Sequence, residues 1–481
     1  MDANSRTPDF VKASHIFAEN HKSCFIFRIL KTFLKCDDFQ LQFLISKIYC
    51  LSIKSSQKNS ENPFKTYFGI LFSPFYILLT KDLHWKRERV TDYNFETVDE
   101  QYFNKRFAVI YESLRGSKRI TPRLPGTFQR DDVTKTIFSS ACLGTTLQLF
   151  LLSWIVFIPL LIFCVRIRLN ILRAYREVLS IYVLFNAYFQ RYPCKHFITY
   201  ADDTNHPSRY LAFKRGCPGK FAVIQNGERG YHPSWSFGML DYYFTFGTAY
   251  VTMARQLSYH MEDAFPVGSL GLNQYYGILE GQNFEQKFDI LYIDNGSIYP
   301  PNYGGLEETV AKSEEIIFSH LSKFKARHKN CNIAYQLRFY GDDLQQKNYI
   351  LNILKKYFPE GILVVDNDGS GESYKNMKRS KLVMTFQSTM GFESMMLGVK
   401  TLFVNYSGYK SETYCDDSRF QIDDPGHDYI LFEQKVEDLL FSRNTDIPEI
   451  AYERHFLFDG KVQERIATIL NDRLGYIDRN D

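Results

Sequence analysis

RSKLVMTFQSTMGFESMMLGVKTLFVNY, residues 379–406, is the stretch whose reading decides the fold. The apolar run Leu382 to Phe386 reads as a buried strand that ends in Gln387, Ser388 and Thr389. Gly391 opens a helix, Glu393 lies one turn into it, Gly398 follows it, and TLFVNY reads as the next strand. Strand, turn, helix, strand is the repeating unit of parallel α/β architecture. In doubly wound sheets ligands sit at the carboxyl ends of the strands, so the polar turn at 387–389 faces the place where chemistry belongs. Hydroxyls and amide groups at a helix N-terminus form a cradle for phosphate, and Glu393 stands where it accepts hydrogen bonds from ribose hydroxyls. The same spacing describes a capping box, in which Ser or Thr caps the helix and the acid reciprocates, and spacing alone leaves both readings open.

The pattern continues outward on both sides. Strands are predicted at 195–201, 220–226, 242–247, 288–295, 331–338, 361–367, 381–387 and 400–406. Helices are predicted at 205–215, 248–260, 306–328, 343–357, 372–379, 391–397 and 432–443. This alternation predicts two doubly wound domains, 181–283 and 284–481, joined by the polar linker LEGQNFEQK. Three more strand ends carry candidate chemistry. ILYIDNGSIYPPNYGG ends a strand in Asn295, Gly296 and Ser297, a turn that is weak evidence by itself. YQLRFYGDD ends one in Arg338, whose guanidinium can hold a diphosphate bidentately or simply pair with Asp342 or Asp343 on the surface. VIQNGERGYHPSWS, residues 223–236, places Asn226, Gly227, Glu228, Arg229 and His232 after a strand of the first domain. Transfer of a group to a hydroxyl needs a base to take the hydroxyl's proton. Glu228 and His232 lead that search, with Asp202 and Asp203 behind them; a His beside Tyr and Pro also has a plain structural use, and Asp202 reads more simply as a helix cap.

The run Ser388-Thr389-Met390-Gly391-Phe392-Glu393, followed by Gly398 and TLFVNY, resembles the donor-site signature of GT-B fold glycosyltransferases, above all bacterial surface-carbohydrate and capsule biosynthesis proteins. The resemblance implies that Ser388, Thr389 and Gly391 hold the donor diphosphate and that Glu393 holds its ribose. It extends to Gly296 and Ser297 under the phosphates, to the Gln225-Asn226-Gly227 turn facing the cleft, and to FLFDGKVQERIATIL, residues 456–470, which looks like the C-terminal helix that crosses back over the first domain. Glu228, Arg229 and His232 would then reach acceptor or sugar. The resemblance covers about 195–470 and is absent before 180. It implies a glycosyltransferase that uses a nucleotide sugar as substrate, needs no cofactor and no metal, and takes a lipid-linked or polysaccharide acceptor. No D-x-D follows a strand where a metal-using transferase has one, and Asp366-Asn367-Asp368 reads as a turn. A nucleotide-sugar 2-epimerase, a CDP-polyol phosphotransferase and a non-catalytic assembly protein are the rival readings of the same pattern.

Between Lys135 and Arg166 there is no charged residue, and ACLGTTLQLFLLSWIVFIPLLIFCV, residues 141–165, would be a helix about 37 Å long, enough to cross a hydrocarbon layer of roughly 30 Å. It reads as a membrane helix with a basic flank, 136–180, although a buried helix or a re-entrant one kinked at Pro159 fits as well. The shorter apolar run at 67–80 is interfacial or core, and residues 1–135 are otherwise a mainly helical region whose chemistry is unreadable. The expected fold is therefore two Rossmann-like domains behind a membrane-associated N-terminal region, with the catalytic domains on the cytoplasmic side. A net charge of +4 spread among acids argues against nucleic acid as a partner. Nine cysteines without a C-x-x-C pair imply reduced thiols and neither a zinc site nor a disulfide framework.

Overall fold

A computed structural model gives the fold and describes residues 7–56, 95–96, 119–120, 143–191, 194, 196–200, 202, 206–295, 306–338, 344–367, 371–408, 417–442 and 457–474. Its core is two parallel sheets. The first has the strand order β2-β1-β3-β4-β5-β6, from Phe95–Glu96 (β1), Arg119–Ile120 (β2), His196–Thr199 (β3), Phe221–Ile224 (β4), Tyr242–Thr245 (β5) and Asp263–Pro266 (β6). The second runs β12-β11-β10-β7-β8-β9, from Phe288–Ile293 (β7), Ile333–Gln336 (β8), Leu363–Val365 (β9), Ser380–Thr385 (β10), Lys400–Asn405 (β11) and Gln421–Asp423 (β12). All eight predicted strands form. Strands such as FAVI, YYFT and KTLFVN are buried at every position because helices cover both faces, which is why they read as continuous runs instead of alternating ones.

In the second sheet, β7 is the first strand of its domain and lies at the centre, between β10 and β8, with Leu382 opposite Ile290 and Ile290 opposite Ile333. The chain winds outward from β7 in one direction, then returns to β10 and winds outward in the other. The gap between the carboxyl ends of β7 and β10 is therefore the switch point at which an open α/β sheet makes a crevice. This places Asp294 and Asn295 beside Gln387 and Ser388.

The helices in chain order are Asp9–His21 (α1), Phe25–Leu34 (α2), Asp38–Ser56 (α3), Leu143–Ile167 (α4), Leu172–Arg191 (α5), Pro207–Gly216 (α6), Thr248–Gln256 (α7), Leu270–Asn273 (α8), Tyr276–Leu279 (α9), Leu306–Arg327 (α10), Leu344–Tyr357 (α11), Glu372–Lys378 (α12), Thr389–Met396 (α13), Tyr429–Phe441 (α14) and Val462–Leu474 (α15). The last of them follows the second sheet in sequence yet packs on the first. Val462, Ile466 and Leu470, four residues apart on one face, join Ile198, Ile224 and Phe244 in a single buried cluster. Arg465 fixes its entry by donating from Nη2 to the Val267 carbonyl at 2.7 Å. Each of the three aliphatic side chains contributes roughly 1.5–3 kcal/mol of burial, so the chain terminus ties the two domains together.

The region before the first domain proves to be part of it. β1 and β2 extend the first sheet, with Phe95 opposite His196. Lys47 of α3 donates to the carbonyls of Ser234 and Ser236, 2.7 Å each, and so buttresses the loop after β4. Tyr175 and Tyr182 of α5 donate to the carbonyls of Ile26 and Leu34, at 3.3 and 3.4 Å. The domain boundary expected at 181 is thus crossed by packing from both sides.

The membrane-span reading of 141–165 is corrected in its second half. Among the described residues no helix is long and apolar enough to cross a membrane. From residue 155 onward α4 buries Val156, Leu160, Phe163 and Cys164 against protein, with the Phe163 ring edge-on to Phe27 at 5.6 Å and to His21 at 5.2 Å. Pro159 sits inside this helix without ending it. The side chains of 143–154 and the apolar run 67–80 lie outside the described residues. Replacing Leu470 by Ala should lower stability by about 2–5 kcal/mol through the cavity it leaves; chemical denaturation of the full chain would measure it, and a loss below 1 kcal/mol would mean that α15 is not a structural tie.

Candidate active site

The two sheets face each other across a cleft of about 570 Å³ whose walls come from the carboxyl ends of β3, β4, β7, β8 and β10. On the first-domain side the wall is the loop after β4. Gln225, fully buried, spans two strand ends: its Oε1 accepts from the Phe246 amide at 2.9 Å and its Nε2 donates to the Gly227 carbonyl at 2.9 Å. Asp202, also buried, accepts from the Asn226 amide at 3.1 Å, from Tyr243 Oη at 3.1 Å and from Arg229 Nη2 at 2.5 Å. Arg229 also donates from Nη1 to the Glu228 carbonyl at 2.7 Å and lies 4.7 Å over the Trp235 ring. Arg229 is therefore a strut inside the loop, and Asp202 holds that strut; the expected cap of α6 is instead His206, whose side chain accepts from Ser208 N. Asp203 lies outside the described residues.

With its neighbours fixed, Glu228 presents its carboxyl to the cleft. Burial pushes its pKa up to about 8, against the opposing pull of the hydrogen bond from Tyr250 and of the Arg229 charge. At neutral pH this carboxyl is mostly protonated. His232 also lines the cleft and caps the short 3₁₀ turn Pro233–Trp235, its Nδ1 accepting from Ser234 N at 3.2 Å. With Nδ1 taken by an amide, the neutral ring carries its proton on Nε2, so His232 suits hydrogen-bond donation better than proton abstraction.

The second-domain wall is the turn that decided the fold. Ser388 is the N-cap of α13 and accepts from Met390 N at 3.3 Å. Thr389 faces the other domain: its Oγ1 accepts from the Glu228 amide at 2.7 Å. Gly391 does a different job from the phosphate contact expected of it. Its amide already donates to the Ser388 carbonyl at 2.9 Å, and a Cβ there would lie 2.7 Å from both Phe403 Cε1 and Thr385 Cγ2. Glycine is needed so that α13 can lie close on β10 and β11. Glu393 is buried; Oε1 accepts from Ser269 of the first domain at 2.7 Å and Oε2 accepts from Tyr374 of α12 at 2.9 Å. The reciprocal capping-box bond is thus not what its oxygens make. Arg338 is exposed at the cleft, its amide donating to buried Asp294 at 3.2 Å and its Nη1 to the Asn295 carbonyl at 3.4 Å. Gly296 and Ser297 lie outside the described residues.

The structure therefore brings Asn226, Glu228, His232, Arg338, Ser388, Thr389 and Glu393 around one cleft, with Gly227 pressed against Thr389: a Cβ on it would sit 3.3 Å from Thr389 Oγ1. Sequence reasoning missed Tyr250, Asp294, Ser269 and Tyr374. Asp294 directly follows β7, so the strand-end rule would have reached it; Tyr250 lies inside α7, and Ser269 and Tyr374 meet Glu393 only through tertiary packing. His328, Glu433 and Glu437 carry atoms close enough together to surround a cation, but Glu433 is paired with Arg327 and the three are not cleft residues.

Two parallel sheets meeting at their carboxyl ends, tied by a final helix that returns to the first, are consistent with the GT-B fold. No protein-family model and no curated protein sequence matches the chain. Solved structures similar to it include the UDP complex of MnaA from S. aureus, at 12% identity over 81% of this chain and 99% of that one with a TM-score of 0.49. The UDP-GlcNAc 2-epimerase of Neisseria meningitidis bound to UDP-GlcNAc has 11% identity over 79% and 100% with a TM-score of 0.44. The wall teichoic acid polymerase TagF soaked with CDPG has 13% identity over 60% and 74% with a TM-score of 0.35. At these identities and TM-scores the likeness assigns no activity to this chain.

The raised pKa of Glu228 has a thermodynamic consequence. A carboxyl titrating at about 8 when folded and near 4.5 when unfolded keeps its proton more tightly in the native state. Its contribution to stability is full below about pH 4.5 and is lost as pH rises to 8. Glu228→Gln should remove that segment of the pH dependence and be at least as stable as wild type at pH 8. Unfolding midpoints of the two proteins measured from pH 5 to 9 should diverge with rising pH; parallel curves would mean that Glu228 titrates normally.

Proposed function

We propose that this cleft binds a nucleotide sugar and that the chain is a glycosyltransferase passing the sugar to a lipid-linked or polysaccharide acceptor at a membrane. The observation that carries the reading is the opposition, across one cleft, of a carboxyl with a pKa near 8 and a helix N-terminus flanked by an exposed arginine. A cleft of about 570 Å³ matches the size of a nucleotide sugar. The Ser388 turn and the N-terminus of α13 would receive the diphosphate, and Glu393 the ribose hydroxyls. Glu228 would take the proton of the acceptor hydroxyl as its oxygen bonds to the anomeric carbon. The bond to the diphosphate oxygen breaks with its electrons leaving on phosphate, where Arg338 and the helix dipole offset the charge. A base of pKa near 8 is strong once ionised, and the rate should climb toward pH 8. His232, with its proton on Nε2, would donate to a sugar oxygen. The design asks for no metal or cofactor. No disulfide links the seven described cysteines, which fits catalytic domains on the reducing, cytoplasmic side.

A 2-epimerase would use the same cleft without an acceptor, so incubation of each nucleotide sugar in deuterated water without acceptor separates the two readings: deuterium appearing at C2 of the sugar would replace transfer by epimerisation. The first experiment is a thermal-shift screen of the full chain against UDP, GDP, CMP, CDP and dTDP. One of them should stabilise the protein, and Glu393→Ala should weaken that nucleotide about 10–100-fold, the loss expected for hydrogen bonds to a charged group. Glu228→Gln should bind it normally yet transfer sugar about 10²–10⁴ times more slowly. No stabilisation by any nucleotide at millimolar concentration would remove the assignment.

A further inference from the structure

Residues 155–165 of the apolar segment do not line the cleft, and they have a feature that neither a membrane span nor a core helix explains. Ile155, Ile158, Ile162 and Val165 are 56%, 64%, 63% and 78% exposed. Their spacing of three, four and three residues puts them on one face of α4. The opposite face is the seam of Val156, Leu160, Phe163 and Cys164 that packs on the first domain. One side of the helix is thus committed to protein while the other presents branched aliphatics to the surroundings, an arrangement that costs free energy in water at each side chain.

The charges around this face point to what covers it. No carboxylate occurs between Asp132 and Glu177. The ladder ends directly on Arg166 and Arg168, both exposed, where Arg168 adopts φ 54° and turns the chain away from the helix axis. Phe25, at the start of α2 and 52% exposed, follows His21, whose ring touches Phe163 beneath the ladder. An apolar strip edged by cations and free of acids complements an anionic lipid surface: aliphatics enter the acyl boundary while guanidinium groups meet phosphates. A protein partner would equally accept the strip, but nothing in it asks for uncompensated positive charge at the edge.

We propose that α4 is an in-plane membrane anchor: its Ile155, Ile158, Ile162 and Val165 face lies in the headgroup boundary of an anionic bilayer, with Arg166 and Arg168 at the phosphates and the first domain resting on the other side of the helix. The inference deepens the membrane-acceptor reading given above and stands on residues outside the cleft, so each can fail without the other. It also fixes an orientation, because the helix face that meets lipid is opposite the face that meets the acceptor-side domain.

The test is flotation of the full chain with vesicles of phosphatidylcholine alone and of phosphatidylcholine with 30% phosphatidylglycerol. Wild type should float with the anionic vesicles, more weakly with neutral ones, and be released by alkaline carbonate. Ile158→Glu with Ile162→Glu, both at exposed positions, should abolish flotation while leaving the melting temperature and the nucleotide-induced shift unchanged. Arg166→Gln and Arg168→Gln should each weaken binding to anionic vesicles about fivefold and leave binding to neutral ones unaltered. Flotation of the glutamate variant equal to wild type would overturn the proposal. Resistance to carbonate would overturn the in-plane placement in favour of insertion. A dimer of wild type in light scattering that the glutamate variant loses, without vesicle binding by either, would assign the face to a second copy of the chain.

Discussion

The buried ion pair of Asp202 and Arg229 is the constraint on which the site depends. Asp202 lies beneath the Asn226–Arg229 turn, its carboxylate 2.5 Å from Arg229 Nη2. By accepting from the Asn226 amide and from Arg229, it fixes both ends of the turn that carries Gly227 and Glu228. Arg229 in turn holds the Glu228 carbonyl, which fixes the peptide next to the Glu228 carboxyl. Removing one partner of such a pair leaves the other charge buried alone, at about 3–5 kcal/mol. The position of Glu228 therefore depends on the pair, alongside the bonds from Gln225 to Gly227 and from the Glu228 amide to Thr389.

From that turn the constraint passes to the second domain. The Glu228 amide donates to Thr389, and Ser269 at the start of α8 donates to Glu393, so these two cross-domain hydrogen bonds end on α13. The helix is short, and its close seat on β10 and β11 rests on the missing side chain of Gly391. The return helix α15 closes the loop from the far side of the first sheet. Three separate devices, an ion pair, a glycine and a terminal helix, thus set one cleft width.

The architecture was legible because buried parallel strands are continuous apolar runs, and eight such runs stood between clear helical segments. What escaped were strands with little apolar content, such as Asp263–Pro266 and Gln421–Asp423, which pair at sheet edges and need no hydrophobic signature. The two-residue strands β1 and β2 escaped because pairing alone defines them. At the site, chemistry at strand ends could be read from spacing, and Glu228, Ser388, Thr389 and Glu393 do line the cleft. Spacing could not tell a side chain that faces the cleft from one that braces its wall, so Arg229 was read outward although Asp202 and Trp235 hold it inward. The apolar segment at 141–165 misled for a related reason: hydropathy counts residues all round a helix, whereas here one flank is taken by protein.

Glu393 carries a consequence for how anything enters. Both of its carboxylate oxygens already receive a hydroxyl, one from each domain. A sugar diol arriving there must displace Ser269 or Tyr374, so the loss of those hydrogen bonds offsets part of what the diol gains from the carboxylate. Displacing Ser269 also severs a link between the domains, which makes occupancy of this carboxylate and the freedom of the two sheets to separate one coupled variable.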